Sequence, residues 1–362
     1  MLTRFRKDPV LYLSALGALI SMLFVHPSRT YLRYLDYRVL ALLLSLMLVV
    51  AGLQDAGFFD SVILRLLRRV HSTRSLVLVL VGSCFFASML ITNDVALITV
   101  VPLTILLLQK AGQRKLLIPV IVLQTIAANL GSMLTPMGNP QNLYLYSLSR
   151  MSTGTFLKTM APASGLSLLL LLAAIFILIH PQEIQPPAEE VSHHGAWLWL
   201  ALFALCLLSV FRVVPYGATL WIVLTAAALT NRKLLRQADY SLLLTFVFFF
   251  IFIGNLKQLP AVSHLFSHWL SGRELLAGIL LSQIISNVPA AMLLSGFTKN
   301  YAALLLGVNL GGLGTLIASM ASLISYKLYI RTETARPSSY LGAFTALNAI
   351  FLVILTAAEV LL

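Results

Sequence analysis

A single carboxylate interrupts a long apolar stretch in the first third of the chain. Asp94 follows Thr92 and Asn93, and no other charged residue lies between Arg74 and Lys110. A charge at the centre of a lipid bilayer costs at least about 2.5 kcal/mol, so such a residue is a functional candidate. We therefore expect the Asp94 carboxylate either to carry a proton or to bind a cation. The alternative is a loop at the membrane surface, which the length of the uncharged flanks disfavours.

A second polar break occurs in the other half of the chain, at Ser286 and Asn287. Pro289 follows and removes a backbone donor, which stops an incoming helix. Hydroxyl and amide groups can coordinate a cation or donate hydrogen bonds to an anion. The alternative is a proline-kinked span whose asparagine links neighbouring helices. The repetition of the break in both halves favours a binding site.

Two further stretches combine glycine, asparagine and proline within apolar sequence. The first extends from Asn129 to Asn142, and the second extends from Asn309 to Thr315. Such residues unwind a membrane helix, and the resulting helix ends offer dipoles and free carbonyls to ions. An extramembrane loop is the alternative, but the density of side-chain amides favours a site.

The composition places these breaks in a membrane. The chain has 59% hydrophobic and 10% charged residues and a mean hydropathy of +0.92, against roughly 25% charged residues in soluble domains. Several runs approach the ~20 apolar residues that span a bilayer as a helix, and no barrel-like alternation is visible. We predict an all-α polytopic membrane protein with the lipid bilayer as a partner. Since the basic residues lie in short connections, the net charge of +13 does not predict a nucleic-acid partner.

The chain divides into two similar halves around a linker rich in proline and glutamate at 181–195. The first half, 1–180, contains a hairpin at 75–110 and a broken helix at 116–150. The second half, 196–362, repeats the order with a hairpin at 273–298 and a broken helix at 300–331. Scaffold helices precede each hairpin. This order of elements indicates an internal repeat.

The positive charges predict how the halves are oriented. With the N-terminus in the cytoplasm and each hairpin re-entrant, most basic residues, including Arg4, Arg6, Lys7 and Arg69, lie on the cytoplasmic side. The first hairpin then opens to the cytoplasm and the second to the outside, so the repeats are inverted. Paired broken helices in inverted repeats predict a midplane binding site in a secondary transporter of the cytoplasmic (inner) membrane.

The remaining candidates for chemistry are weaker. His264 and His268 lie one helical turn apart and could bind a metal, but an interfacial helix face is the preferred interpretation. His193 and His194 fall in the linker, and no motif of a hydrolase or nucleotide-binding enzyme is present. We predict no metal site, no cofactor and no enzymatic activity.

Three segments carry a resemblance to a known group of proteins: TNDVALITVVPL, NLGSMLTPMGNPQNLYLY and ISNVPAAMLLS. They resemble the ion transporter superfamily of citrate and divalent-anion symporters, arsenite permeases and sodium/proton antiporters, most of all its citrate-transporter-like permeases. The resemblance extends from about Val10 to Leu362. It implies a homodimer, a scaffold that holds the interface, and a moving domain built from two re-entrant hairpins and two unwound helices.

The resemblance also implies roles for individual residues. For substrate binding, the matching residues at the tips and breaks are Thr92, Asn93, Ser286, Asn287, Asn142 and Thr315, and Asp94 and Asn139 are added from their own chemistry and position. The coupling ion, Na⁺ or H⁺, is assigned to Asp94 from its charge and to Asn93, Asn287, Gly131, Gly138, Gly311 and Gly312 from the resemblance, with Thr135, Pro136 and Pro140 shaping the first break.

One departure from the dicarboxylate branch concerns the third position of each tip. Asp94 and Val288 stand where that branch has threonine. The fixed carboxylate would repel an anion unless it is protonated or cation-bound. We expect an ion-coupled transporter of a small anion, either a carboxylate or an oxyanion. A cation/proton antiporter, an arsenite-type efflux permease and, remotely, a membrane-embedded enzyme or a channel are the alternatives.

Overall fold

The computed structural model describes residues 9–68, 70–184 and 195–361, which are nearly all helical. Within these ranges, six helices are long and apolar enough to cross a membrane. The chain is thus a polytopic α-helical membrane protein. Most of the predicted linker, with His193 and His194, lies outside the described residues, as do Arg4, Arg6, Lys7 and Arg69.

The described residues of the first half form nine α-helices. A 3₁₀ turn at Arg114–Leu116 precedes α7. The helices are α1 (Pro9–Phe24), α2 (Tyr31–Tyr34), α3 (Tyr37–Asp55), α4 (Phe58–Leu67), α5 (Thr73–Ala87), α6 (Asn93–Lys110), α7 (Leu117–Ser132), α8 (Pro140–Ser149) and α9 (Thr153–Leu178).

The described residues of the second half form ten α-helices. The helices are α10 (Ala196–Val210), α11 (Tyr216–Thr230), α12 (Lys233–Gln237), α13 (Tyr240–Lys257), α14 (Pro260–Leu270), α15 (Glu274–Ile285), α16 (Asn287–Leu294), α17 (Tyr301–Leu310), α18 (Met320–Tyr329) and α19 (Pro337–Leu361). Helix α13 corresponds in order to α3, and each begins after an aspartate cap. Asp36 accepts a hydrogen bond from the Val39 amide at 3.0 Å, and Asp239 accepts one from the Leu242 amide at 3.1 Å.

The scaffold helices pack in an exchanged pattern between the halves. Helix α1 packs on α13, while α10 and α11 pack on α3. Small residues allow these approaches, since a side chain at Gly52 would collide with the indole of Trp199. The buried Asn255 of α13 donates to Ser21 Oγ and Tyr31 OH at 2.9 Å each. Apolar contact and buried hydrogen bonds therefore hold the first-half helices to the second half.

Two helical hairpins pack against two broken helices. Hairpin 1 consists of α5 and α6 joined by residues 88–92, and hairpin 2 consists of α15 and α16 joined by Ser286. Helix α5 packs on α7, and α15 packs on α17. The contacts then cross between the halves, because α18 packs on α6 and α8 packs on α16. The four elements therefore form one unit, beside which α9 and α19 pack.

Amphipathic helices precede both hairpins. Helix α4 buries Ile63, Leu64 and Leu67 while its Val62 and Leu66 are exposed. In α14, His264 and His268 are both exposed. Among the described residues, no group of three His, Cys, Asp or Glu side chains is placed to hold a metal ion.

The contact between Gly52 and Trp199 yields a stability prediction. Gly52→Ala places a methyl group against the Trp199 ring, and overpacking of this kind costs roughly 1–3 kcal/mol. We expect a lower thermal unfolding midpoint for the detergent-purified variant. Gly165→Ala in α9 is the matched control, because no atom lies within 4 Å of the added carbon. A midpoint unchanged in both variants would contradict this account of the α3–α10 contact.

Candidate functional site

The first broken helix is held open by its own asparagines. Break 1 comprises residues 133–139, between α7 and α8. Asn139 caps α8 by accepting from the Asn142 amide at 2.9 Å. The side-chain nitrogen of Asn142 donates to the carbonyls of Ser132 and Met133 at 3.2 Å each and of Thr135 at 3.0 Å. Asn142 thereby satisfies carbonyls that the interrupted helix leaves free.

Each hairpin tip docks on one of the breaks through a backbone hydrogen bond. The Asn93 amide donates to the Gly138 carbonyl at 3.2 Å. The Asn287 amide donates to the Ala318 carbonyl, in break 2 (residues 311–319), at 2.9 Å. The two bonds occupy equivalent positions in the two halves, so each break satisfies the first free amide of the adjoining helix.

A threonine of each break bonds to the hairpin that docks on that break, four residues before the docked asparagine. The Thr135 hydroxyl donates to the Met89 carbonyl, and the Thr315 hydroxyl donates to the Gln283 carbonyl at 3.1 Å. The spacing from Met89 to Asn93 equals that from Gln283 to Asn287. Thr315 is exposed, and its amide donates to Gln283 Oε1 at 2.9 Å. Its hydrogen bonds therefore go to Gln283 and not to the side-chain amides described next.

Side-chain amides join the two breaks across the repeat. Asn139 donates to Asn309 Oδ1 at 2.9 Å, and Asn309 donates to Asn142 Oδ1 at 2.7 Å. In the equivalent contact, the Ser319 hydroxyl donates to Asn129 Oδ1 at 3.0 Å. All five side chains are at most 3% exposed. The N-cap residue of α8 therefore bonds to an asparagine in the second half of the chain, and the N-cap residue of α18 bonds to an asparagine in the first half.

Hairpin 1 connects to this set through Asn93. Its side-chain nitrogen donates to Asn129 Oδ1 at 3.0 Å, and Asn129 in turn donates to the Gly312 carbonyl at 3.3 Å. Gly312 lies close to the other tip, because a side-chain carbon added there would be 3.0 Å from Asn287 Nδ2. The first tip is thus linked through Asn129 to break 2, where the second tip docks. We call the side chains of Asn93, Asn129, Asn139, Asn142, Asn309 and Ser319 the amide cluster.

Glycine permits the close approach of the hairpins to the broken helices. A side-chain carbon at Gly131 would collide with the Phe85 carbonyl and lie 2.7 Å from Ser88 Oγ. In the second half, a carbon at Gly311 would lie 2.7 Å from Ser282 Oγ. Any larger residue at either position would push its hairpin away from the amide cluster.

Asp94 lies beside the amide cluster with a different environment. It is half-buried in the first turn of α6, and its amide donates to Asn93 Oδ1 at 3.0 Å. Among the described residues, no side chain donates a hydrogen bond or pairs with the Asp94 carboxylate. Its role as a proton carrier or a cation ligand stays a prediction.

Helix ends of both polarities meet at the cluster. Helices α6, α8, α16 and α18 begin at the tips and breaks, while α5, α7, α15 and α17 end there. Helix N-termini carry partial positive charge and free amides, and C-termini carry partial negative charge and free carbonyls. The arrangement can hold an anion and a cation close together without a basic side chain.

The structure brings most of the predicted site residues to the same region. Thr92 is half-buried at the N-cap of α6, and Ser286 donates to the Ala318 carbonyl at 3.4 Å. Their binding roles stay predictions. The sequence analysis placed Asn129 and Asn309 in the two broken stretches without giving either a binding role, and it did not single out Ser319. Alignment of the two breaks could have found Ser319, because it stands where Asn139 stands when Asn309 is aligned with Asn129.

The sequence is similar to known membrane proteins over most of its length. A family model described as Citrate transporter matches residues 2–325. The transporter MJ0456 of Methanocaldococcus jannaschii is 33% identical over 316 residues, 87% of each chain. The inner membrane protein YbiR of Escherichia coli is 34% identical over 307 residues, 81% of this chain and 80% of its own. The silicon efflux transporter LSI3 of Oryza sativa subsp. japonica is 34% identical over 143 residues, 38% of this chain and 29% of its own.

The cross-repeat contacts predict coupled losses of stability. Asn309→Ala leaves a donor of Asn139 and an acceptor of Asn142 unsatisfied, at roughly 1–3 kcal/mol for each group. Combined with Asn139→Ala, the effects on unfolding should deviate from additivity by at least ~0.5 kcal/mol. Asn255→Ala shares no partner with Asn309, so that pair should be additive. Additivity in both double variants would show that the amide contacts do not join the halves.

Proposed function

The chain belongs to the citrate transporter family, and we propose that it is an ion-coupled secondary transporter of a small anion in the cytoplasmic membrane. The observation that carries the proposal is the meeting of two hairpin tips and two helix breaks beside the carboxylate of Asp94. Two of the relatives named above, MJ0456 and LSI3, are transporters by name, which fits a chain that catalyses no reaction.

The anion binds at the helix N-termini in this proposal. Asn93 and Asn287 begin helices at the tips, where backbone amides and helix dipoles favour negative charge. The hydroxyls of Thr92 and Ser286 are adjacent donors. A carboxylate or an oxyanion of similar size would be held by dipoles and hydrogen bonds instead of by a fixed basic side chain.

Coupling follows from the charge of Asp94. An anion beside an ionised Asp94 is repelled by about 4 kcal/mol at a separation of 4 Å and an effective dielectric constant of 20. A proton on Asp94, or a Na⁺ bound to its carboxylate and to the nearby carbonyls, removes that repulsion. Anion binding and cation binding are then linked, and their joint movement is symport.

Alternating access is proposed to move the hairpins and broken helices as one body. These elements bond to one another through both breaks, whereas α1, α3, α11 and α13 pack mainly among themselves. Such a division suits an elevator mechanism, in which one body moves against a fixed scaffold. In this proposal the protein is a homodimer with a cytoplasmic N-terminus, its two halves are inverted repeats, and both hairpins are re-entrant. The exchanged packing of the scaffold helices supports the inverted repeat.

A second candidate is proton-coupled efflux of an uncharged hydroxylated acid. The similarity to a silicon efflux transporter over part of the chain favours it. Amide and hydroxyl groups are suitable partners for a neutral polyhydroxylated molecule, which an ionised Asp94 does not repel. In this mechanism Asp94 exchanges the proton against the substrate, as in an arsenite-type permease or a cation/proton antiporter.

The main test replaces Asp94 in reconstituted protein. Proteoliposomes carrying a pH-sensitive dye receive citrate, other carboxylates and oxyanions, with and without a Na⁺ gradient. For Asp94→Asn we expect correct folding but gradient-driven flux at the level of empty liposomes, because the coupling charge is gone. Asp60→Asn on α4 is the matched control and should retain flux. Wild-type flux in Asp94→Asn would refute the assigned role.

The same vesicles separate the two candidates. Silicic acid added to wild-type proteoliposomes should cause no proton movement if the protein is an anion symporter. Proton movement that depends on silicic acid, is absent with citrate and is lost in Asp94→Asn would favour the efflux function instead.

A further inference from the structure

An apolar groove opens between α4 and hairpin 1, outside the amide cluster. Its volume is about 510 Å³. One wall is the outer face of α4, and the other walls are the facing sides of α5 and α6. Representative lining residues are Phe58, Val62 and Leu66 of α4, Gly82 and Phe86 of α5, and Val100 of α6.

The groove contains almost no polar surface. Of its lining side chains only Ser83 and Thr99 carry a polar atom, and the Thr99 hydroxyl already donates to the Val95 carbonyl at 2.9 Å. Large apolar side chains on its walls are uncovered, including Leu66 at 54%, Phe86 at 55% and Leu90 at 52% exposed. A complementary occupant is therefore a hydrocarbon chain.

The length of the groove matches one leaflet of a bilayer. Its lining on α5 extends from Leu78 to Ala87, which is about 14 Å at 1.5 Å per residue, and it continues to Ile91 at the tip. Half of a hydrocarbon core is about 15 Å thick. Helix α4 runs along the groove, because its Phe59 packs against Ile91 at the tip and its Leu66 lines the wall near the start of α5. The groove therefore leads from the start of hairpin 1 towards the hairpin tip.

Basic side chains lie next to the groove on α4. Arg65 is exposed and precedes Leu66, a lining residue, and Arg68 is exposed one turn further along the helix. Guanidinium groups bind phosphate through charge-assisted hydrogen bonds. Basic residues at the membrane surface also attract anionic headgroups.

We propose that this groove binds one acyl chain of an anionic phospholipid from the leaflet that contains α4, with the phosphate at Arg65. The site is separate from the proposed transport site, but it adjoins the hairpin tip. Ile91 and Ala96 line the groove on either side of Thr92–Asp94 and pack with Val50 of α3. The bound chain therefore contacts both the hairpin and the scaffold.

Gly82 allows the groove to be filled without disturbing the helix. No atom lies within 4 Å of a side-chain carbon added at this residue, so Gly82→Phe projects a ring into the space for the acyl chain. Gly165→Phe on α9 is the matched control, since that position is equally open and remote from the groove. Thermal unfolding midpoints of both variants check that they are folded.

Lipid binding is measured by native mass spectrometry of detergent-purified protein titrated with dioleoylphosphatidylglycerol. We expect one tightly bound lipid in the wild type and in Gly165→Phe. Binding to Gly82→Phe should be weaker by at least about tenfold, because the acyl chain loses the burial of several methylene groups. Equal binding in folded Gly82→Phe and wild type would overturn the proposal.

The headgroup is tested separately with Arg65→Gln and dioleoylphosphatidylcholine. The wild type should prefer phosphatidylglycerol, and Arg65→Gln should lose that preference while Gly82 remains the determinant of chain binding. The absence of any headgroup preference in the wild type would refute the anionic assignment. A change in oligomeric mass for Gly82→Phe without a change in bound lipid would assign the groove to a second copy of the chain and overturn the proposal. Failure of transport assays has no bearing on these readouts.

Discussion

Hydrocarbon offers no hydrogen-bond partners, so every backbone group that a broken helix frees inside a membrane must find one within the protein. Each such group left unpaired costs several kcal/mol. Here the hairpin tips supply amides to the breaks, as between Asn93 and Gly138 or Asn287 and Ala318. The breaks and tips are therefore stable only together, and the polar site is the place where their unsatisfied groups meet.

Side-chain hydrogen bonds between the two halves of the chain make that site a single body. Asn139 bonds to Asn309, and Ser319 bonds to Asn129, so neither break can shift without disrupting the other. A buried network in which most groups are satisfied is rigid and specific. We infer that motion during transport occurs between this body and the scaffold, where apolar surfaces predominate, and not within the amide cluster.

Charge provides the selectivity that a rigid neutral network lacks. The cluster is built from amides, hydroxyls and helix ends, and Asp94 is the fixed charge beside it. In the proposed mechanism, a proton or cation on its carboxylate favours binding of the anion, which is the physical basis of the coupling. The apolar groove on the other side of the tip places a lipid chain where it contacts the same segment.

Local sequence signals determined the membrane class, and they predicted the two halves, the hairpins and the breaks. Hydropathy and helix-breaking residues act over short distances, so they can be interpreted without the fold. Even so, hairpin 1 begins at Thr73 and not at 75, because Ser72 caps the helix through the Ser75 amide. Only the tertiary structure showed that Asn142 holds break 1 and that Asn129 and Asn309 join the halves. Those contacts link residues far apart in sequence, and only the docking of hairpins on broken helices decides which amides meet.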